Sequence, residues 1–219
     1  MSLINEILFM NEEEADLEAD KVMSFGDLFY ERSGGDVSEG SSPTAKFATL
    51  GASSYLDSPE DYVSRSAERN PTIDFNFNQL LTAVKKSLGV IFNKKIIDLD
   101  GAGRVGFHVF DERANGEEAQ WHVDMPYENE GIVWSEPPTN PFSFTLPLRL
   151  PQGVGGLDFK DEEGKERYYP YTVGNLYLSN GLFPHRIANP IRIRDGENRI
   201  TLQGHGVFSE VSSLGFVYF

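Results

Sequence analysis

The chain contains no cysteine. A disulfide framework and a thiolate metal site are therefore excluded. Its borderline metal ligands are the histidines His108, His122, His185 and His205. Long apolar runs are also missing, so no segment reads as a membrane span and no membrane partner is expected. The start, Met1-Ser2-Leu3-Ile4-Asn5-Glu6, lacks the positive region of a secretory signal, and a cytoplasmic location is the expectation. Basic residues are scarce: 19 Lys and Arg stand against 34 Asp and Glu, a net charge of −15. A phosphate backbone needs a basic footprint, which argues against nucleic acid as a partner. The acidity is compatible with a cationic substrate, although solubility alone accounts for it more simply. The sequence does not indicate an oligomeric state.

What is present suffices for one domain with a sizeable core, because the chain has 219 residues. Residues 1–95 read as a helical and loop region packing on a strand-rich core at 96–219. Asn11 to Asp20 is acidic and reads as a surface helix or an arm. Residues 32–54 are rich in Gly and Ser and read as a long loop, either a lid or disordered. Ser58-Pro59-Glu60-Asp61 starts a helix that should end near Asn70-Pro71. A second helix is expected from Asn76 to Asn93, with Leu80, Leu81, Val84, Leu88, Ile91 and Phe92 at helical spacing. From Ile96 the pattern is one of short strands, among them Val105–Phe110, Gln120–Asp124, Gly131–Trp134, Phe142–Leu150 and Arg199–Leu202. Gly- and Pro-rich turns separate them. The fold class this suggests is mainly β with flanking helices, around a double-stranded β-helix (jelly-roll, cupin-like) core.

Chemistry concentrates in Trp121-His122-Val123-Asp124 and Pro184-His185-Arg186-Ile187. In a strand, residues two apart share a face, so His122 and Asp124 point together. His185 would complete two nitrogens and one oxygen, the set that leaves open positions on a non-haem Fe(II) centre. A lone His-x-Asp is weak, but Arg199-Ile200-Thr201 adds a guanidinium and a hydroxyl on one strand face. Such a fork binds a carboxylate in two-pronged fashion. Open metal sites beside a carboxylate anchor suit a chelating dicarboxylate such as 2-oxoglutarate.

The segment from about Val105 to Phe208 resembles the Fe(II)/2-oxoglutarate-dependent dioxygenase family. The pattern stands here as His122-x-Asp124, His185 and Arg199-x-Thr201. Pro147-Leu148-x-Leu150-Pro151, Gly155-Gly156-Leu157-x-Phe159 and Tyr171-x-x-Gly174-x-Leu176 resemble its prolyl-hydroxylase-like branch. The resemblance implies Fe(II) held by His122, Asp124 and His185, and 2-oxoglutarate anchored by Arg199 and Thr201. It further implies O2 as co-substrate and hydroxylation of an amino-acid, peptide-like or natural-product substrate, with release of succinate and CO2. Halogenating members of the family lack the carboxylate that Asp124 supplies here. Two rival readings stay open: a cupin-like protein that binds a metal or small ligand without turnover, and a structural sandwich with no metal affinity.

Several other residues have candidate roles. Tyr127, Thr145 and His205 are candidates for the substrate or co-substrate pocket. For His205 a structural role is the simpler alternative, and for Thr145, with Ser143, plain exposure to solvent. His108 reads as packed on the core, with a place lining the pocket as the lesser alternative, and Trp121 as part of an outer core because it is out of phase with the ligands. Asn180 reads as a turn residue. Arg186 points away from His185, towards a surface pair or a second carboxylate.

Overall fold

A computed structural model describes residues 4–33, 46–115, 119–124, 129–134, 137–151, 155–188, 191–212 and 214–219. In chain order the elements are β1 (Ile4–Leu8), α1 (Glu12–Met23), β2 (Tyr30–Ser33), β3 (Lys46–Leu50), α2 (Pro59–Phe92), β4 (Lys95–Asp98) and β5 (Gly106–Phe110). There follow β6 (Thr139–Arg149), β7 (Gly156–Lys160), β8 (Glu166–Pro170), β9 (Asn175–Ser179), β10 (His185–Ile187), β11 (Arg199–Phe208) and β12 (Leu214–Tyr218). A nine-stranded sheet runs β1-β9-β6-β11-β5-β3-β2, with β12 also paired to β11 and β4 paired to β12. A three-stranded sheet runs β10-β7-β8. Every described pairing is antiparallel except β12 with β4.

Alternation along the strands separates two chemistries. On one face of the large sheet lie Leu50, Phe107, Val109, Phe144, Leu146, Leu178, Ile200 and Leu202, all buried in one cluster with residues of the two helices. Helix α1 contributes Ala15, Ala19 and Val22, and α2 contributes Ile73, Phe77, Leu80, Leu81, Val84 and Leu88. The spacing of both sets matches one face of a helix. The opposite face is polar at its centre. In register there are Ser143 beside His205, Thr145 beside Gln203, and Thr201 beside His108. Pro147 lies in β6 next to a register shift against β11 at Ile200/Thr201, the kind of place where a strand tolerates a residue with no amide proton.

The two helices expected around Pro71 are one. Helix α2 starts at the expected cap, with the Asp61 amide donating to Ser58 Oγ, and runs 34 residues through Pro71 to a left-handed Asn93. At 1.5 Å per residue that is about 51 Å. An interior proline costs about 3 kcal/mol, but apolar side chains on both sides of it are buried against the core, from Tyr62 to Leu88. Asn70 also ties the segment down: its Nδ2 donates to Ala102 O at 2.8 Å, and its Oδ1 accepts from the Arg104 amide at 2.9 Å. Tertiary packing therefore overrides the local stop signal.

The N-terminal region is more than helix and loop, since β1, β2 and β3 belong to the main sheet. Acidic residues 12–20 lie in α1, which Asn11 and Glu14 close with a reciprocal capping box. Within 32–54, Lys46–Leu50 is a strand pairing with β2 and β5. The lid-or-disorder question therefore narrows to residues 34–45, outside the described residues. Gly131–Trp134 is turn and irregular chain rather than a strand. Among the described residues no helix is long and apolar enough to cross a membrane.

Phe77 is fully buried, with its ring 5.8 Å from that of Phe25 and 4.5 Å from that of Phe107. Phe75, two residues earlier, is 87% exposed. Phe77→Ala should cost about 3–5 kcal/mol in denaturant unfolding, whereas Phe75→Ala should stay within about 0.5 kcal/mol.

Candidate functional site

Residues 121–124 do not form the regular strand expected of them; they make an isolated bridge, His122 to His185. The His122 amide donates to His185 O at 3.0 Å and the His185 amide donates to His122 O at 2.9 Å, a reciprocal antiparallel pair. The Asp124 amide donates to Gly181 O at 2.9 Å. These bonds fix His122 and Asp124 against the start of β10 without a strand. Ligand atoms of His122, Asp124 and His185 all lie within 4.8 Å of one another. Asp124 Oδ1 is 3.4 Å from His185 Nε2 and 3.9 Å from His122 Nε2.

Backbone carbonyls orient both imidazoles. His122 Nδ1 donates to Gln120 O at 3.0 Å, and His185 Nδ1 donates to Phe183 O at 2.9 Å. A carbonyl only accepts, so Nδ1 is the donor and Nε2 is left facing Asp124, free for a proton or a cation. Electrostatics agree with that arrangement. Burial would raise the Asp124 carboxyl, but the His185 hydrogen bond and the neighbouring histidines hold it well below the usual carboxylate range. Burial works against charge on His185, yet Asp124 outweighs it and the His185 pKa ends above its ordinary value. Burial, followed by repulsion from His185, lowers that of His122. A buried carboxylate drawing a proton onto one imidazole is a place where a cation is favourable. Two nitrogens and one oxygen fit Fe(II) by donor type.

Arg199 and Thr201 lie on the same sheet face, and both are buried. Arg199 Nε and Nη1 and Thr201 Oγ1 have no hydrogen-bond partner among the described residues. The guanidinium sits 5.6 Å over the Phe110 ring, and burial lowers its pKa while Tyr171 acts the other way. A buried cation without an anion costs several kcal/mol, so this cradle fits a carboxylate ligand. Tyr171 belongs to the same region: its hydroxyl hydrogen-bonds Thr145, and burial raises it to about 12 against the pull of Arg199.

Of the other candidates, Tyr127 lies outside the described residues. Thr145 is beside Tyr171, as above. His205 is buried, with Nδ1 3.1 Å from Ser143 Oγ, and Ser143 donates to Asp124 Oδ2 at 2.6 Å. His108 is buried, but on the polar sheet face rather than against the helices, with Nε2 2.6 Å from the Tyr55 hydroxyl. Trp121 is not in an outer core. It is half-buried, under Lys160 at 4.8 Å and Arg186 at 4.5 Å. Arg186 pairs with Asp158 at 3.3 Å. Asn180 is a turn residue whose Oδ1 accepts from the Leu182 amide at 3.1 Å. Nothing in the sequence singles out Tyr55, which lies between the Gly- and Ser-rich stretch and the helix start at Ser58. Its ring nevertheless stands edge-on to His205 at 5.5 Å.

No protein-family model matches the chain, and no curated protein matches it. Solved structures do. The non-heme alpha ketoglutarate dependent epimerase SnoN from nogalamycin biosynthesis aligns with a TM-score of 0.55 and 8% identity over 94% of this chain and 79% of that one. A 2OG-Fe(II) oxygenase family protein from Caulobacter crescentus aligns with a TM-score of 0.52 and 14% identity over 99% and 77%. An N-substituted L-amino acid dioxygenase from Burkholderia ambifaria, in complex with alpha-KG, aligns with a TM-score of 0.50 and 9% identity over 73% and 69%. The chain has the fold of the 2OG-Fe(II) oxygenases. At these identities the likeness concerns the jelly-roll fold alone, and the chemistry has to be argued from the side chains. The two sheets meet at the His-Asp-His cluster, with β10 bringing His185 to His122 and β6 bringing Ser143 to Asp124.

In the metal-free protein, imidazole NMR titration should place the His185 midpoint above and the His122 midpoint below about 6.5. Asp124→Asn removes the charge that raises His185, so its midpoint should fall. An unchanged midpoint would contradict the proposed pairing of His185 with Asp124.

Proposed function

We propose that the protein is an Fe(II)- and 2-oxoglutarate-dependent oxygenase. It hydroxylates a C–H bond of an amino-acid, peptide-like or natural-product substrate. His122, Asp124 and His185 would hold the metal, and Arg199 with Thr201 would bind the distal carboxylate of 2-oxoglutarate. The balance is substrate C–H, O2 and 2-oxoglutarate giving substrate C–OH, succinate and CO2. Fe(II) with 2-oxoglutarate supplies the activation of O2 and the oxidising power. The chain supplies the rest. Its carbonyls turn the two imidazoles, and its buried guanidinium fixes the co-substrate's far end.

The observation that carries the reading is the buried Arg199 and Thr201, with unpaired donors, on the sheet face that also carries the Ser143 hydrogen bond to Asp124. A binder of a metal alone would have no use for a desolvated cation there. The fold of the structural neighbours supports the reading, as does the N-substituted L-amino acid dioxygenase that holds alpha-KG. The prolyl-hydroxylase-like pattern allows all of these classes; among them we favour an amino-acid or peptide-like substrate, and the solved N-substituted L-amino acid dioxygenase is one neighbour of that kind.

The test is succinate release from 2-oxoglutarate, with Fe(II) and O2, over a panel of amino acids, short peptides and small natural products. Release should require added Fe(II), stop on chelation, and fall at least about a hundredfold in Asp124→Ala, since that variant loses one of three ligands. Release that persists in Asp124→Ala or in the presence of excess chelator would contradict the proposal.

A further inference from the structure

Asp124 has two carboxylate oxygens with different surroundings. Oδ1 faces the two histidines, 3.4 Å from His185 Nε2 and 3.9 Å from His122 Nε2. Oδ2 is turned the other way and accepts a hydrogen bond from Ser143 Oγ at 2.6 Å. A serine hydroxyl has one proton. With that proton committed to Asp124, Ser143 Oγ can only accept from His205 Nδ1, 3.1 Å away. His205 does not bond to the carboxylate directly, since its Nδ1 is 3.9 Å from Oδ2. The result is a chain of three side chains, His205 to Ser143 to Asp124, ending on the oxygen that does not face the histidines.

The fold fixes this chain from three directions. Ser143 and His205 are direct cross-strand partners on β6 and β11, which places their side chains within reach of each other. His205 is buried, with the rings of Tyr55 and Tyr218 centred 5.5 Å and 6.3 Å from its own, so it has little freedom to swing away. Gly181, with φ +68°, closes the third side. A Cβ there would stand 2.6 Å from Ser143 Oγ and 2.8 Å from Asp124 Cβ, closer than side-chain atoms approach one another. The Asp124 amide bonds to the same residue's carbonyl at 2.9 Å, so backbone and side chain of Asp124 are held from one turn.

We propose that Ser143 and His205 are positioning residues that hold Oδ2 of Asp124, presenting Oδ1 alone to the metal. The inference rests on the oxygenase reading given above and deepens it. Without the hydrogen bond the carboxylate would be free to rotate about its Cβ–Cγ bond, and Oδ1 would no longer be held beside the two histidine nitrogens. The ligand set would then have to be ordered at the moment of metal binding, which costs affinity. His205 acts through Ser143, orienting its lone pair and so its proton.

The experiment is titration of the metal-free protein with Mn(II), followed by electron paramagnetic resonance of the free ion, alongside thermal unfolding of each metal-free variant. Ser143→Ala should weaken Mn(II) binding about tenfold or more, within the 10–100-fold range that loss of such outer partners produces, and leave the unfolding temperature close to the wild type. Ser143→Thr, which keeps the hydroxyl, should bind within about twofold of the wild type. His205→Phe keeps a ring but loses the donor and should weaken Mn(II) binding several-fold. His205→Asn places an amide N–H near the position of Nδ1 and should recover most of that loss. The His205 pair also decides the matter if Ser143→Ala fails to fold. Wild type that binds Mn(II), with Ser143→Ala or the two His205 variants binding equally well, overturns this inference and leaves the oxygenase reading intact. Wild type with no Mn(II) affinity overturns both.

Discussion

Each strand of the large sheet has to satisfy two faces at once, and the rest of the structure follows from how β11 does so. Its even positions, Ile200 and Leu202, go into the core under the helices. Its odd positions, Arg199, Thr201 and His205, are buried polar groups on the other side. A one-residue slip would put a guanidinium into the helix-packed core and two aliphatic side chains into the site. The cost of burying Arg199 among hydrocarbons makes that slip unaffordable. Register, core and site are thus fixed by one alternation, and the neighbouring strands β5 and β6 share it through pairing.

Helix α2 is the other side of the same arrangement. It supplies most of the apolar surface against which the sheet packs, and it carries no side chain of the ligand cluster. The cluster sits where the small sheet meets the large one, held by two backbone bonds between His122 and His185 and one between Asp124 and Gly181. This division leaves the site's own backbone short and irregular while its support is broad and well packed. Positioning a candidate ligand set from packed elements, with hydrogen bonds behind each side chain, is what keeps such geometry within tolerance.

Much of this was legible in the sequence, and the reasons differ by element. His122, Asp124 and His185 were legible as a cluster because residue type and order single them out, even though the expected strand at 121–124 is only a bridge. Arg199 and Thr201 were legible because a regular strand puts them on one face. The polar pair Ser143 and Thr145 stood out from Phe144 and Leu146 for the same reason. Pro71 misled because proline speaks only of local cost, whereas the burial of Phe77 and Leu88 is settled across the fold. Strands β1 to β3 were missed because short segments such as Ile4–Leu8 acquire their pairing from partners remote in sequence, here β9. For Trp121 the phase of the strand indicates a side but not what lies there, so an outer core is the natural expectation. Two cations cover it instead.

On the proposed reading, one sheet face joins a metal site to a carboxylate anchor. The direct measurement is an anaerobic titration with Fe(II) and then 2-oxoglutarate, following the weak visible charge-transfer band of the chelate, in wild type and Arg199→Ala. A band is expected in the wild type, with a co-substrate requirement at least about thirtyfold higher in the variant, because truncating one partner of a buried charge pair costs about 2–5 kcal/mol or more. Equal 2-oxoglutarate affinity in the two proteins would contradict the anchor. Absence of the band in a wild type that binds Fe(II) would leave a metal-binding jelly roll without the co-substrate.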